Sequence, residues 1–359
     1  MKIYQLTPAL VPGDATGNDL MALRKKLSSM GLSSEVYVLA MSDRMPKGSA
    51  ELFDTMPEPQ PEDIVIYHFC IGSRMTEKVM SYRCRKIMIY HNVTQPAFLE
   101  PYAPAMAEKC REGLRQMESL KDTFNYVLAD SEFNRQDLLR AGYTCPIDVL
   151  PILVPFEDYR QQPDPEILEK YSDGMTNILF VGRVAPNKKH ENIIRAFDCY
   201  QKNFNPNSRL ILVGNDGGME AYKARLLQYI SILGTKNVLF PGHISFPQIL
   251  GFYRAADVFL CMSEHEGFCV PLIESMLFDL PIVALDACAV PYTLGNAGIH
   301  LKDTTPEVAA AAIHRLTADP EFRRAVIKSQ QKRLEDFSYD SVSALFEKYF
   351  NGFLNANAR

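Results

Sequence analysis

Short apolar runs recur along the chain, each ending at Gly, Asn, Asp or His and each followed by a segment whose apolar positions return at helical spacing. That alternation predicts a parallel sheet with helices on both faces, because a strand covered on both sides reads as unbroken apolar sequence. In the first half it predicts strands over 2–6, 35–40, 63–69, 86–91, 126–130 and 147–152, with helices over 17–30, 73–82, 103–122 and 132–141. After Val154 the sequence turns polar and is punctuated by Pro155, Pro163 and Pro165, which reads as a linker. The alternation then restarts. Strands are expected over 177–181, 209–213, 237–240, 257–262 and 281–285, with helices beginning near His190, Gly218, Phe246 and Pro271. Helices over 306–317, 320–336 and 340–354 close the chain. The predicted fold class is α/β, with two Rossmann-like doubly wound domains, 1–153 and 174–336, joined by a linker over 154–173 and followed by a terminal segment 337–359.

Length and composition fit this division. At 359 residues the chain is about twice an ordinary domain, and its 47% hydrophobic and 23% charged residues exclude a disordered or fibrous class. Residues 1–150 carry 17 Lys+Arg against 19 Asp+Glu, and the remainder 21 against 24, so neither half has the basic footprint of a nucleic-acid binder. The eight cysteines form no C-x-x-C and mostly sit in apolar contexts, as expected of reduced thiols rather than disulfides or zinc ligands. Met1-Lys2-Ile3-Tyr4 passes directly into a strand-like segment, and no apolar run approaches the roughly 20 residues that cross a bilayer. A cytoplasmic protein is expected, with any membrane contact peripheral.

Two facing Rossmann-like domains leave a cleft, and ligands in such sheets bind beyond the carboxyl ends of the strands. Several chemistries are missing there. There is no G-x-G-x-x-G, no G-x-x-x-x-G-K-[ST], no G-x-S-x-G, no H-E-x-x-H and no D-x-D, so nothing announces a dinucleotide, a P-loop, a hydrolase elbow or a metal.

The strongest positive feature is Ser263-Glu264-His265-Glu266-Gly267-Phe268-Cys269-Val270-Pro271-Leu272-Ile273-Glu274, which follows an apolar strand and opens a helix at Pro271. It sets Glu266 and the amides of Gly267, Phe268, Cys269 and Val270 at a helix N-terminus, where an anion is favoured and a carboxylate accepts from sugar or ribose hydroxyls. A capped helix with an exposed Glu266 is the plainer reading of the same residues. Val181-Gly182-Arg183 with Lys188 follows the first strand of the second half and reads as a metal-free diphosphate clamp, or as two solvated surface charges. The loop bearing Gly13 and Gly17 opens the first helix and either approaches a phosphate or makes an ordinary tight turn. Two strands of the first domain end in histidine, His68 and His91, both expected to face the cleft.

Taken together, Val181-Gly182-Arg183 with Lys188 and the Glu266-x7-Glu274 spacing resemble the retaining glycosyltransferases of sequence family 4, which have the GT-B fold. His91 and Val127-Leu128-Ala129-Asp130-Ser131 resemble landmarks of the family's first domain. The resemblance implies a GT-B architecture whose C-terminal helix packs back toward the N-terminal domain. It implies a nucleotide-sugar donor in place of a cofactor, with GDP-mannose or a UDP-hexose favoured on family frequency, and no metal. It further implies that Arg183 and Lys188 bind the diphosphate, Glu266 the donor-sugar hydroxyls and Glu274 the ribose. The amides of Phe268 and Cys269 would face sugar and phosphate, His243 and Ile244 would meet the base, and His91 would lie near the donor sugar and a saccharide or lipid-linked acceptor. Phe278-Asp279-Leu280-Pro281 lacks the family's usual glycine, and Tyr292 stands where Glu is common. The expected function is hexose transfer in polysaccharide, lipopolysaccharide or glycoconjugate assembly. A catalytically silent binding subunit, and a GT-B phosphorylase or sugar-nucleotide epimerase, are the alternatives.

Overall fold

The structure is a computed structural model describing residues 1–356, and it divides into two units. The first comprises Met1–Pro96, Ala105–Pro155 and everything described from Phe337 onward; the second comprises Ala97–Pro104 and Phe156–Asp336.

The first unit holds seven parallel strands: β1 Ile3–Leu10, β2 Ser34–Met41, β3 Glu51–Leu52, β4 Ile64–Phe69, β5 Arg85–Tyr90, β6 Tyr126–Ala129 and β7 Ile147–Val149. Their order is β3-β2-β1-β4-β5-β6-β7, with the direction of winding reversing between β1 and β4. β4 is buried at all six positions, which is why it reads as one continuous apolar run. The helix Tyr339–Asn355 supplies Val342, Phe346, Phe350 and Phe353 to a core shared with Ile3, Leu23, Ile64 and Ile87. The four follow at steps of four, four and three, one stripe of a helix.

The second unit repeats the plan with β8 Thr176–Val181, β9 Ser208–Val213, β10 Val238–Gly242, β11 Val258–Cys261, β12 Ile282–Leu285 and β13 Ile299–Leu301, ordered β10-β9-β8-β11-β12-β13. Here the winding reverses between β8 and β11, so the loops leaving these two strands lie side by side at the crevice of the sheet. A Cβ on Gly214, just past β9, would come within 1.9 Å of the Gly182 carbonyl oxygen; only glycine lets the ends of β8 and β9 approach so closely.

The expected linker over 154–173 is corrected. Residues 156–160 form a short 3-10 turn and Pro165–Tyr171 a helix capped by Asp164, both within the second unit. This helix packs on the helix Phe246–Ala255 at Gly251, whose missing side chain makes room for Ile167. The polar, proline-rich composition thus marks a helix start, since proline suits a first turn. Among the described residues all eight cysteines are unbridged, and no helix is long and apolar enough to cross a membrane.

Candidate functional site

The loops after β8 and β11 are tied together before any side chain reaches outward. Glu264 N–H donates to the Asn187 carbonyl (2.9 Å), and the Asn187 side chain donates to the His265 carbonyl (3.1 Å). Lys189 takes a left-handed conformation (φ 50°) to enter the helix His190–Asn203, and its ammonium pairs with Glu264 at 3.0 Å. Cys269 is also left-handed (φ 76°) and caps the helix Val270–Leu277 with no side-chain hydrogen bond. Non-glycine residues hold this conformation only where surrounding packing imposes it.

Within this frame the structure pairs two of the expected residues. Lys188 Nζ donates to Glu266 Oε2 at 2.6 Å, with the side chains 19% and 9% exposed. Burial alone would lower the lysine pKa, but the Glu266 carboxylate outweighs it and holds the ammonium above its ordinary value. The pair is therefore charged, and each partner keeps spare capacity: two ammonium protons, and the remaining carboxylate lone pairs. The plainer reading of an exposed Glu266 is corrected, because the lysine carries it inward.

Glu274 projects from the helix Val270–Leu277, and both its oxygens are engaged. Tyr159 donates to Oε1 at 2.6 Å and Tyr253 to Oε2 at 2.5 Å. Burial raises the Glu274 pKa, and the two phenols oppose that shift by hydrogen-bonding the charged form. Both rings rest against Phe278, Tyr253 stacked at 5.2 Å and Tyr159 edge-on at 6.4 Å. Sequence reasoning missed both tyrosines; Tyr159 lay in the supposed linker.

The other expected donor residues are less constrained. Arg183 is exposed and donates to the Gly217 carbonyl at 3.0 Å. It is not part of the Lys188–Glu266 pair. Gly182 closes β8 with its N–H on the Val213 carbonyl. Phe268 is buried, its carbonyl accepting from Thr293 at 2.5 Å, and Gly267 and Val270 flank it half-buried. His243 is exposed and Ile244 half-buried, just past β10.

In the first unit Gly13 occupies an open turn at φ 78°, but the Gly17 amide is already taken by the capping carboxylate of Asp14 at 3.0 Å. His68 and His91, expected to face the cleft, hold their rings in hydrogen bonds within the first unit. His68 is fully buried, with Nε2 on Gln5 Oε1 (3.2 Å) and Nδ1 on His91 Nε2 (2.9 Å), the two rings stacked. His91 Nδ1 meets Asp130 Oδ2 at 2.8 Å, with side chains 3% and 2% exposed. Because the Gln5 amide nitrogen donates to Ser34, its oxygen faces His68. The donors then run in one direction: His68 Nε2–H to Gln5, His91 Nε2–H to His68, His91 Nδ1–H to Asp130. That leaves His68 neutral and His91 an imidazolium. The pKa directions agree: burial pushes His68 well down, while at His91 burial is outweighed by Asp130 and the net shift is upward. Asp19, buried beside them and accepting from the Leu153 amide at 2.8 Å, is pushed up to about 7 by burial.

Residues 166–333 match the model of the family described as Glycosyl transferases group 1. The O-antigen chain mannosyltransferase B of Escherichia coli is 24% identical over 234 residues, covering 63% of this chain and 60% of that protein. The D-inositol 3-phosphate glycosyltransferase of Streptomyces bingchenggensis is 27% identical over 174 residues, 46% of this chain and 38% of that protein. The chain thus spans between about two fifths and three fifths of these curated relatives. Among solved structures, the sucrose-phosphate synthase of Thermosynechococcus elongatus superposes with a TM-score of 0.75 at 16% identity, covering 99% of this chain and 100% of that one. Anabaena Alr3699/HepE in complex with UDP and glucose gives 0.75 at 19% identity, covering 98% and 100%. The fold is GT-B, and the second unit carries the sequence pattern of the group 1 glycosyltransferases.

Proposed function

We propose that this protein is a retaining, metal-independent glycosyltransferase that moves a hexose from a nucleotide-sugar donor to a saccharide or glycolipid acceptor, in polysaccharide, lipopolysaccharide or glycoconjugate assembly. One observation carries the reading: a buried Lys188–Glu266 ion pair sits at the reversal point of the second sheet, in a loop that opens a helix N-terminus. Breaking a sugar–phosphate bond leaves negative charge on a diphosphate. A cation already fixed in place stabilises that charge without a metal and without reorganising. Lys188 holds two N–H groups in reserve for the phosphate, and exposed Arg183 closes on it as a second cation. Glu266 meets the hydroxyls of the transferred sugar, and Glu274, oriented by Tyr159 and Tyr253, takes those of the ribose. The relatives' names support sugar transfer, and the UDP and glucose in the Anabaena structure support a nucleotide-sugar donor.

His91 acts at one remove in this scheme, since both its ring nitrogens are engaged within the first unit. The test is nucleotide release from a panel of GDP-, UDP-, ADP- and dTDP-sugars in the presence of EDTA. One donor is expected to release its nucleoside diphosphate at a rate that chelation leaves unchanged. Release from none of them, or a loss on chelation that Mg²⁺ or Mn²⁺ restores, overturns the proposal.

A further inference from the structure

Among the described residues, two groupings bring three metal-ligand atoms within 4.8 Å of one another. The first, Asp19, His68 and His91, is already spent: both nitrogens of each ring and an oxygen of Asp19 are held in the hydrogen bonds described above. The second is Cys261, Glu266 and Cys269, and its chemistry is different. Cys261 ends β11 and is fully buried; its sulfur makes a long 3.5 Å contact to the Ser263 hydroxyl and shares a thiol hydrogen bond with Cys269. Cys269 stands eight residues on, held at φ 76° so that the turn brings its thiol back beside Cys261 and the Glu266 carboxylate.

We propose that Cys261, Cys269 and Glu266 form a site for a soft divalent cation, zinc by preference, built into the loop that opens the helix Val270–Leu277. Two sulfurs and one carboxylate oxygen are a ligand set that zinc accepts, with a water completing the tetrahedron. Thiolates bound to one zinc lie about 3.8 Å apart, from bond lengths of about 2.3 Å at the tetrahedral angle. The sulfurs fall within the span that allows this. Charge balance favours the site as well. Without metal the cluster holds one ammonium, one carboxylate and two neutral thiols, and sums to zero. Binding proceeds as Zn²⁺ + 2 RSH → Zn(SR)₂ + 2 H⁺, so the cluster with Lys188 still sums to zero. No net charge enters a buried site.

The site plays no part in the proposed transfer and works against it. Glu266 cannot serve a sugar hydroxyl while it ligates zinc, so the cation is an inhibitor that competes with the donor sugar. This competition rests on the proposed function; the metal site itself does not.

The experiment reads the metal directly. Reduced, metal-free protein is titrated with Co²⁺, and the sulfur-to-cobalt charge-transfer band is followed, then displaced by Zn²⁺, with bound zinc counted by elemental analysis. One metal per chain with a two-thiolate band is expected. Cys261→Ala and Cys269→Ala should each weaken zinc binding by more than the roughly 10–100-fold that loss of a supporting contact costs. Cys199→Ser, far along the helix His190–Asn203, should leave it unchanged. X-ray absorption of the zinc-loaded wild type, which needs no variant to fold, should show two sulfur neighbours. No charge-transfer band, a spectrum without sulfur, or equal binding in the Cys261 and Cys269 variants overturns the proposal. Zinc that binds as described but leaves nucleotide-sugar turnover untouched overturns only the competition with the donor.

Discussion

Replacing Lys188 with methionine removes the ammonium while keeping most of the stem, and so leaves the Glu266 carboxylate buried without its partner. Breaking a buried pair from one side costs about 3–5 kcal/mol when the orphaned charge must stay charged. Here the loss has a ceiling, because Glu266 can take up a proton instead. At pH 7, neutralising a carboxylate of ordinary pKa about 4.3 costs roughly 3–4 kcal/mol, and at pH 5 only about 1 kcal/mol. Lys188→Met should therefore be strongly destabilised at pH 7 and nearly normal at pH 5. The sign follows from proton counting: in the variant the folded state binds the proton that the unfolded state has released, so stability falls as pH rises. Adding Glu266→Gln should return most of the loss at pH 7 without restoring turnover. Urea denaturation of the three proteins at both pH values decides it. A deficit equal at pH 5 and pH 7, or a double variant as weak as the single one, would refute the account of a charged, buried and mutually dependent pair.

The remaining expectations separate residues by role. Arg183→Ala, which loses one exposed contact to the Gly217 carbonyl, should change stability by less than about 0.5 kcal/mol yet lower turnover at saturating donor on the order of 10²–10³-fold; near wild-type turnover removes Arg183 from the diphosphate. Glu274→Ala should weaken calorimetric binding of the free nucleoside diphosphate, Tyr159→Phe should do so by about 1 kcal/mol, and Glu266→Ala should leave it nearly unchanged. Equal weakening in both glutamate variants would show the carboxylates assigned to the wrong parts of the donor. Asp19→Asn should stabilise the protein increasingly between pH 3.8 and about 7, the window in which folded Asp19 holds a proton that the unfolded chain has lost. Parallel stability curves for variant and wild type across that range contradict it.

Most of the sheet was legible because its strands are apolar on both faces, so the eleven segments that became β1, β2 and β4–β12 stood out as unbroken runs or nearly so. β3 and β13, two and three residues long, carry too few positions for any periodicity to register. The Glu266 loop was legible because a fully buried strand, a proline and an apolar helix face fixed where it had to sit. What sequence could not supply was partnership across distance. Nothing near Lys188 marks its bond to a residue 78 positions on, and Tyr159 meets Glu274 across 115. The partners of the two histidines were equally hidden: Gln5 and Asp130, each polar and buried, bond these rings from within the first unit, and neither is near a strand-end histidine in sequence. Segment 97–104 likewise reads as part of the first half yet clusters with the second unit, where Phe98 meets His265 and Tyr102 meets Tyr222.

The helix Tyr339–Asn355 lines the first unit's core with Val342, Phe346, Phe350 and Phe353. During synthesis, then, the first 155 residues emerge as a sheet with one wall missing, its faces at Ile3, Ile64 and Ile87 bare. At translation speeds of about 5–20 residues per second, the ribosome takes roughly ten to forty seconds to deliver that wall. The second unit, contiguous from Phe156 to Asp336 apart from one eight-residue insert, meets no such delay. The unit encoded first is the one completed last. A nascent chain of this protein must keep an apolar surface waiting, and the interval in which a chaperone is useful to it is written into the order of its segments.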